Sequence, residues 1–120
     1  PPHFTAKGAK VQHTLLSEGC EIAGNVSESV LFSDVKVAKN ANVEYSILMP
    51  GAVVEEGANV RYAIVASGAV IAKGASIGAG PSECDVDKWG VAVVAENVRI
   101  GENVKLAAKE MADEDIPDAE

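Results

Sequence analysis

Aromatic side chains are nearly absent, with two Phe, two Tyr and one Trp among 120 residues. The 48 % of hydrophobic residues is carried instead by valine and alanine, so a narrow core is expected and a helical bundle is not. Two cysteines, Cys20 and Cys84, are too few for a disulfide framework, and no Cys/His cluster has zinc-ligand spacing. A reducing, cytoplasmic setting is therefore expected. No apolar run approaches the roughly 20 residues of a membrane helix, and no signal peptide is present. Positive charge is also short: 18 acids against 10 bases give −8, which argues against nucleic acid and against anionic membrane surfaces. Residues 107–120 hold −5 of that charge. The chain opens Pro1-Pro2 without a methionine, which points to missing upstream sequence.

What is present repeats. Segments VQHTLLSEGCEI, VSESVLFSDVKV, VEYSILMPGAVV and VRYAIVASGAVI begin at Val11, Val26, Val43 and Val60, at spacings of 15, 17 and 17. Large aliphatics step 5, 6 and 6 residues through Val26, Leu31, Val37, Val43, Leu48, Val54, Val60, Val65, Ile71 and Ile77. Small residues stand two places before many of them, as at Ala41, Ser46, Ala52, Ala58, Ala63, Ala69 and Ala75. Period-2 alternation turns both inward. Gly19, Asn40, Gly51, Gly57, Gly68, Gly74, Asn97 and Asn103 fall between strands, where tight corners need positive φ. The rhythm predicts an all-β fold, a left-handed parallel β-helix of hexapeptide repeats with 17-residue coils, over residues 1–106. Gly78 to Lys88, with Pro81 and no aliphatic hexad, reads as an inserted loop. After it, Val94, Ile100 and Leu106 restore the step of six. Residues 107–120 are expected as an acidic tail or cap, a short helix with a frayed end.

The outward rows carry the functional signal. Leu15, Val30, Ile47, Ile64 and Val93 form a row that should be solvated yet is apolar, and Phe32 and Met49 flank it. A second row reads Asn25, Asn42, Asn59, Ser76, Lys105, and a third Glu21, Lys36, Val53, Val70, Arg99. The apolar row predicts a docking surface for another domain or subunit. Lys36 and Arg99 share the mixed row, a weak candidate contact for an anionic effector.

Catalytic chemistry finds little support. His3 and His13 have no acid at convincing sequence spacing and read as solvated imidazoles. Cys20 aligns with Val35, Ala52 and Ala69 in the inward small position, so its thiol is expected to be buried. Cys84 lies in the inserted loop. Tyr45 and Tyr62, one coil apart, are expected to stack. Gly78-Ala79-Gly80 lacks the lysine that a phosphate loop needs. No catalytic, cofactor-binding or metal-ligating residue is assigned.

The opening PPHF, the runs LLSEGCEI, SESVLFSDVKV and EYSILMPGAVVEEGA, and WGVAVVAENVRIG after the loop resemble the carboxy-terminal β-helix of bacterial ADP-glucose pyrophosphorylase, the glucose-1-phosphate adenylyltransferase of glycogen synthesis. Ser29-Val30-Leu31-Phe32 followed by Val35 and Val37 is the most specific piece. The resemblance implies a parent enzyme that joins ATP and glucose 1-phosphate into ADP-glucose and pyrophosphate with Mg²⁺. That chemistry would belong to an amino-terminal catalytic domain, whose glycine-rich loop and metal-binding aspartates are missing here. It also implies that the β-helix packs on that domain, joins subunits into a homo- or hetero-tetramer and takes part in effector control. The alternative is a free-standing hexapeptide acyltransferase, or the β-helix of another sugar-phosphate nucleotidyltransferase.

Overall fold

A computed structural model describes residues 4–119, apart from the side chain of Val86. Eighteen short strands wind through six coils. The first coil holds β1 (Phe4–Thr5), β2 (Lys10–Gln12) and β3 (Leu15–Leu16), and the second β4 (Glu21–Ile22), β5 (Asn25–Ser27) and β6 (Val30–Leu31). The third holds β7 (Lys36–Val37), β8 (Asn42–Glu44) and β9 (Ile47–Leu48), and the fourth β10 (Val53–Val54), β11 (Asn59–Arg61) and β12 (Ala63–Val65). The fifth holds β13 (Val70–Ile71), β14 (Ser76–Ile77) and β15 (Ala92–Val94), and the last β16 (Arg99–Ile100), β17 (Lys105–Leu106) and β18 (Met111–Ala112).

Every third strand pairs in parallel, which makes three six-stranded sheets. These are the faces of the left-handed hexapeptide-repeat β-helix that the 5-6-6 rhythm predicts. We call them the mixed face (β1, β4, β7, β10, β13, β16), the amide face (β2, β5, β8, β11, β14, β17) and the apolar face (β3, β6, β9, β12, β15, β18). The register stacks equivalent residues: Val60 lies between Val43 and Ile77, and Ile64 between Ile47 and Val93.

Small and large inward residues are buried together. Ala41, Ala52, Ala58, Ala69 and Ala75 have no exposed surface, nor do Leu31, Val43, Leu48, Val54, Val60 and Ile71. Bulkier residues at the small positions would collide across so slim a bore, which accounts for the alanine excess. Cys20 is buried as expected, and its Sγ donates to the Phe32 carbonyl at 3.0 Å.

Two segments refine the sequence reading. Between β14 and β15 the chain makes an excursion with two short 3-10 turns, Pro81–Glu83 and Val86–Lys88. Arg61 pins it through a fork to Glu83, at 2.8 and 3.1 Å. Among the described residues the tail forms no helix. Met111–Ala112 adds a sixth rung to the apolar face, and Ile116 bridges Ile100 to begin another rung on the mixed face. The reason is the open edge of the last coil. The Gly101 N–H donates to the Ile116 carbonyl at 2.7 Å, and the Ile116 N–H donates to the Arg99 carbonyl at 2.9 Å. Asp115 accepts the Arg99 amide at 2.8 Å and Asp118 the Glu102 amide at 2.7 Å, so the acids satisfy edge donors rather than frill the end.

Candidate docking face and the groove beside it

The apolar row runs the full height of its face. Leu15, Val30, Ile47, Ile64 and Val93 are register neighbours, and Met111 extends the row by one rung. Leu15 is 72 % exposed, Met111 64 % and Ile47 40 %, with Phe32 and Met49 exposed alongside. Val30, Ile64 and Val93 are half-buried. Met111 escaped the sequence reading because the tail was expected to leave the coil pattern. Its signal was the step of six from Leu106 to Ala112, the inward residue that Met111 precedes as Ile47 precedes Leu48.

The corner between the amide and apolar faces differs from the other two. At those, positive φ falls on Gly8, Asn40, Gly57, Gly74 and Asn103, and on Gly19, Asp34, Gly51, Gly68 and Asn97. Here it falls on His13, Glu28, Tyr45 and Tyr62, at 46° to 51°, on Gly78 where the excursion leaves, and on Lys109. Buried hydroxyls support the turn from within. Ser29 Oγ donates to the Ser27 carbonyl at 2.7 Å and accepts the Ser46 N–H at 3.1 Å. Ser46 Oγ repeats the device with the Glu44 carbonyl, at 2.8 Å, and the Ala63 N–H, at 3.3 Å. Each serine thus satisfies a donor of the next coil that the tight turn leaves without a backbone acceptor.

Outside that corner the four side chains fall into two pairs. His13 Nδ1 lies 2.6 Å from Glu28 Oε1. This corrects the expectation that no acid stands near His13: the carboxylate comes from the next coil, 15 residues on, where the register delivers it. Tyr45 and Tyr62 stack as expected, with centroids 4.8 Å apart and planes 10° from parallel. Trp89 meets Tyr62 edge-on at 5.6 Å, and its Nε1 donates to the Ala79 carbonyl at 2.8 Å. A groove of about 570 Å³ joins His13, Glu28, Tyr45 and Tyr62 to Leu15, Val30 and Ile47 of the apolar row. His3 lies outside the described residues.

Lys36 and Arg99 are not brought together, since Val53 and Val70 stand between them on the mixed face. Lys36 Nζ is 3.7 Å from Glu21 Oε2, with both side chains well exposed. The 490 Å³ groove beside Lys36 is lined by Glu21, Glu55 and Glu56 as well, a poor place for an anion. Arg99 reaches Asp118 at 3.1 Å, and this pairing raises its pKa. Asp118 is held below the usual aspartate value, first by the Glu102 N–H and then by Arg99. Glu83 is lowered likewise, first by the Gly80 N–H and then by Arg61. Among the described residues, no group of three or more His, Cys, Asp or Glu side chains could hold a metal ion. No helix among them is long and apolar enough to cross a membrane.

Comparison with known proteins adds identity to this geometry. The sequence pattern of the family described as GlmU-like, C-terminal hexapeptide matches residues 3–92. Glucose-1-phosphate adenylyltransferase of Bacillus subtilis (strain 168) is 52 % identical over 40 residues, 33 % of this chain and 10 % of the relative. The enzyme of the same name from Thermotoga sp. (strain RQ2) is 49 % identical over 39 residues, 32 % of this chain and 9 % of the relative. The match thus spans about a tenth of the length of these curated relatives. WeeI from Acinetobacter baumannii AYE superposes with a TM-score of 0.63 at 17 % identity, over 92 % of this chain and 49 % of that one, a likeness of fold.

Proposed function

On the footing that this chain belongs to the GlmU-like C-terminal hexapeptide family, we propose that it is the non-catalytic regulatory and assembly domain of a glucose-1-phosphate adenylyltransferase. In this reading the parent makes ADP-glucose from ATP and glucose 1-phosphate in the cytoplasm. The ATP site and Mg²⁺ belong to an amino-terminal domain of the same polypeptide. The β-helix supplies a rigid prism that packs on that domain and joins subunits into a tetramer. The observation that carries the proposal is the unbroken apolar row on the six rungs of one face. The surface these rungs still expose gains roughly 25 cal/mol per Å² once covered, and among the described residues nothing covers Leu15, Ile47 or Met111. The test is self-association of the chain by light scattering over a dilution series. We expect concentration-dependent assembly that Ile47→Glu abolishes. A monomer at every concentration removes the self-association part of the proposal, and an Ile47→Glu variant that assembles normally removes the row from it.

A second reading, a hexapeptide acyltransferase, is favoured by one contact, the 2.6 Å pairing of His13 with Glu28 beside a groove. A carboxylate that orients an imidazole is the arrangement a general base needs. Turnover of acetyl-CoA that is lost in His13→Ala would decide for it. Failure to turn over acetyl-CoA keeps the assembly reading.

A further inference from the structure

The corner of His13, Glu28, Tyr45 and Tyr62 pays for its residues in backbone strain. A non-glycine residue in the left-handed region costs roughly 1–2 kcal/mol, least for Asn, Asp and His. At the other two corners every positive-φ residue is Gly, Asn or Asp, whereas this one holds Glu, Tyr and Tyr in succession. Such a choice, repeated on successive coils, calls for a use of the side chains themselves.

Their arrangement narrows the use. Tyr62 is fixed between the Tyr45 ring and the edge of Trp89. Tyr45 is 50 % exposed, and in the ladder it stands between Tyr62 and Glu28, so its free ring face looks toward the coil of the Glu28 carboxylate. The groove has Leu15, Val30 and Ile47 as its apolar wall. It is lined by neither Lys nor Arg. Whatever covers the apolar row therefore also covers Tyr45 and Glu28. His13 reaches only Oε1 of Glu28, so taking the carboxylate out of water without a further donor for Oε2 would cost several kcal/mol.

We propose that this groove seats an arginine of the protein partner that docks on the apolar face, its guanidinium stacked on Tyr45 and forked to Glu28. The inference rests on the docking reading above. A guanidinium is planar, weakly hydrated and bidentate, so it satisfies a ring face and a carboxylate at once, while an ammonium offers only a point charge. With Glu28 as its only lining acid and no Lys or Arg, the groove favours a cationic group in the same sense. His13 holds the carboxylate in place from the far side.

The probe is N-acetyl-arginine amide, titrated into isotopically labelled protein while the Trp89 indole and His13 ring resonances are followed. We expect a saturable shift in the range of millimolar affinity, and a weaker, non-saturable one with N-acetyl-lysine amide. Glu28→Gln and Tyr45→Leu each weaken the arginine response roughly three- to fivefold, the factor of a partly exposed cation–π or ion-pair contact, while Tyr45→Phe leaves it unchanged. Equal responses to arginine and lysine amides, or a response untouched by Glu28→Gln, overturn the proposal. Glu28 is on the surface, so that variant tests the site even if Tyr45→Leu disturbs the turn. Ile64→Glu, on the apolar row but outside the groove's lining, separates the two readings. Loss of association with the arginine response retained supports both, and absence of the arginine response in a chain that still associates sinks only the seat.

Discussion

The amide and apolar faces sit on the same prism and share its inward chemistry, yet they treat their outward rows in opposite ways. On the amide face Asn25 Nδ2 donates to Asn42 Oδ1, and Asn42 Nδ2 to Asn59 Oδ1, both at 3.1 Å. That row satisfies itself and presents water with a finished surface. On the apolar face the rungs have no partner within the described residues and gain only from being covered. Architecture therefore says nothing about which side binds. The inward hexads set the fold, and the residues between them are free to differ face by face.

The comparison breaks most completely when what the faces share is removed. Val60, with no exposed surface, underlies the amide face and packs in the common bore. Val60→Asp buries an unpaired charge that costs several kcal/mol against a usual stability of about 5–15 kcal/mol. Loss of the cooperative melt by circular dichroism is expected, and a folded variant with near-normal melting would contradict the packing described here.

Placing one charge on each face sharpens the contrast. Ile47→Glu and Asn42→Glu both leave the core intact, so each should change stability by less than about 1 kcal/mol. Only the first should abolish self-association in light scattering. Equal effects would mean that general charge repulsion, not the row, controls assembly.

The mixed face offers a third, smaller test through its strap. A Cβ on Gly101 would collide with the backbone of Pro117 and Asp118. Gly101→Ala should free residues 113–119, seen as faster proteolysis of the tail with the six coils still folded. The strap is also pH-dependent. Asp118 has a depressed pKa in the folded state, so its contribution is full above the ordinary aspartate value of about 4 and is lost as the pH falls through the lowered one. Amide exchange at Glu102 should accelerate relative to that of Val60 as acid is added below pH 4. Smallest of all, Asn42→Ala breaks the amide ladder at a half-buried site and should shift the midpoint by at most a few degrees.

Legibility followed the period. The inward positions of hexads such as Val43, Leu48 and Val54 could be assigned because alternation and a fixed step leave one solution. The outward apolar row came with them, since the residue before each inward aliphatic must face out. Met111 was hidden because the inward residue it precedes is the small Ala112, six places after Leu106, where the earlier coils put a large aliphatic five places on. The contact of His13 with Glu28 was hidden for another reason: proximity in a coil is measured one turn away, not a few residues away. Lys36 and Arg99 share a face in sequence, but two valine rungs separate them and carboxylates stand beside both.

The sequence by itself determined the coil, its three sides and which residues point inward, because a 5-6-6 step of aliphatics has no other way to bury them. Only the tertiary structure decided that the tail straps the last coil, that the unusual corner collects Glu28, Tyr45 and Tyr62 beside the apolar row, and that Lys36 and Arg99 stay apart. Those outcomes depend on distances along the stack, about 4.8 Å per coil. They also depend on which edge donors and ring faces remain unpaired once every coil has closed, a balance that no single repeat contains.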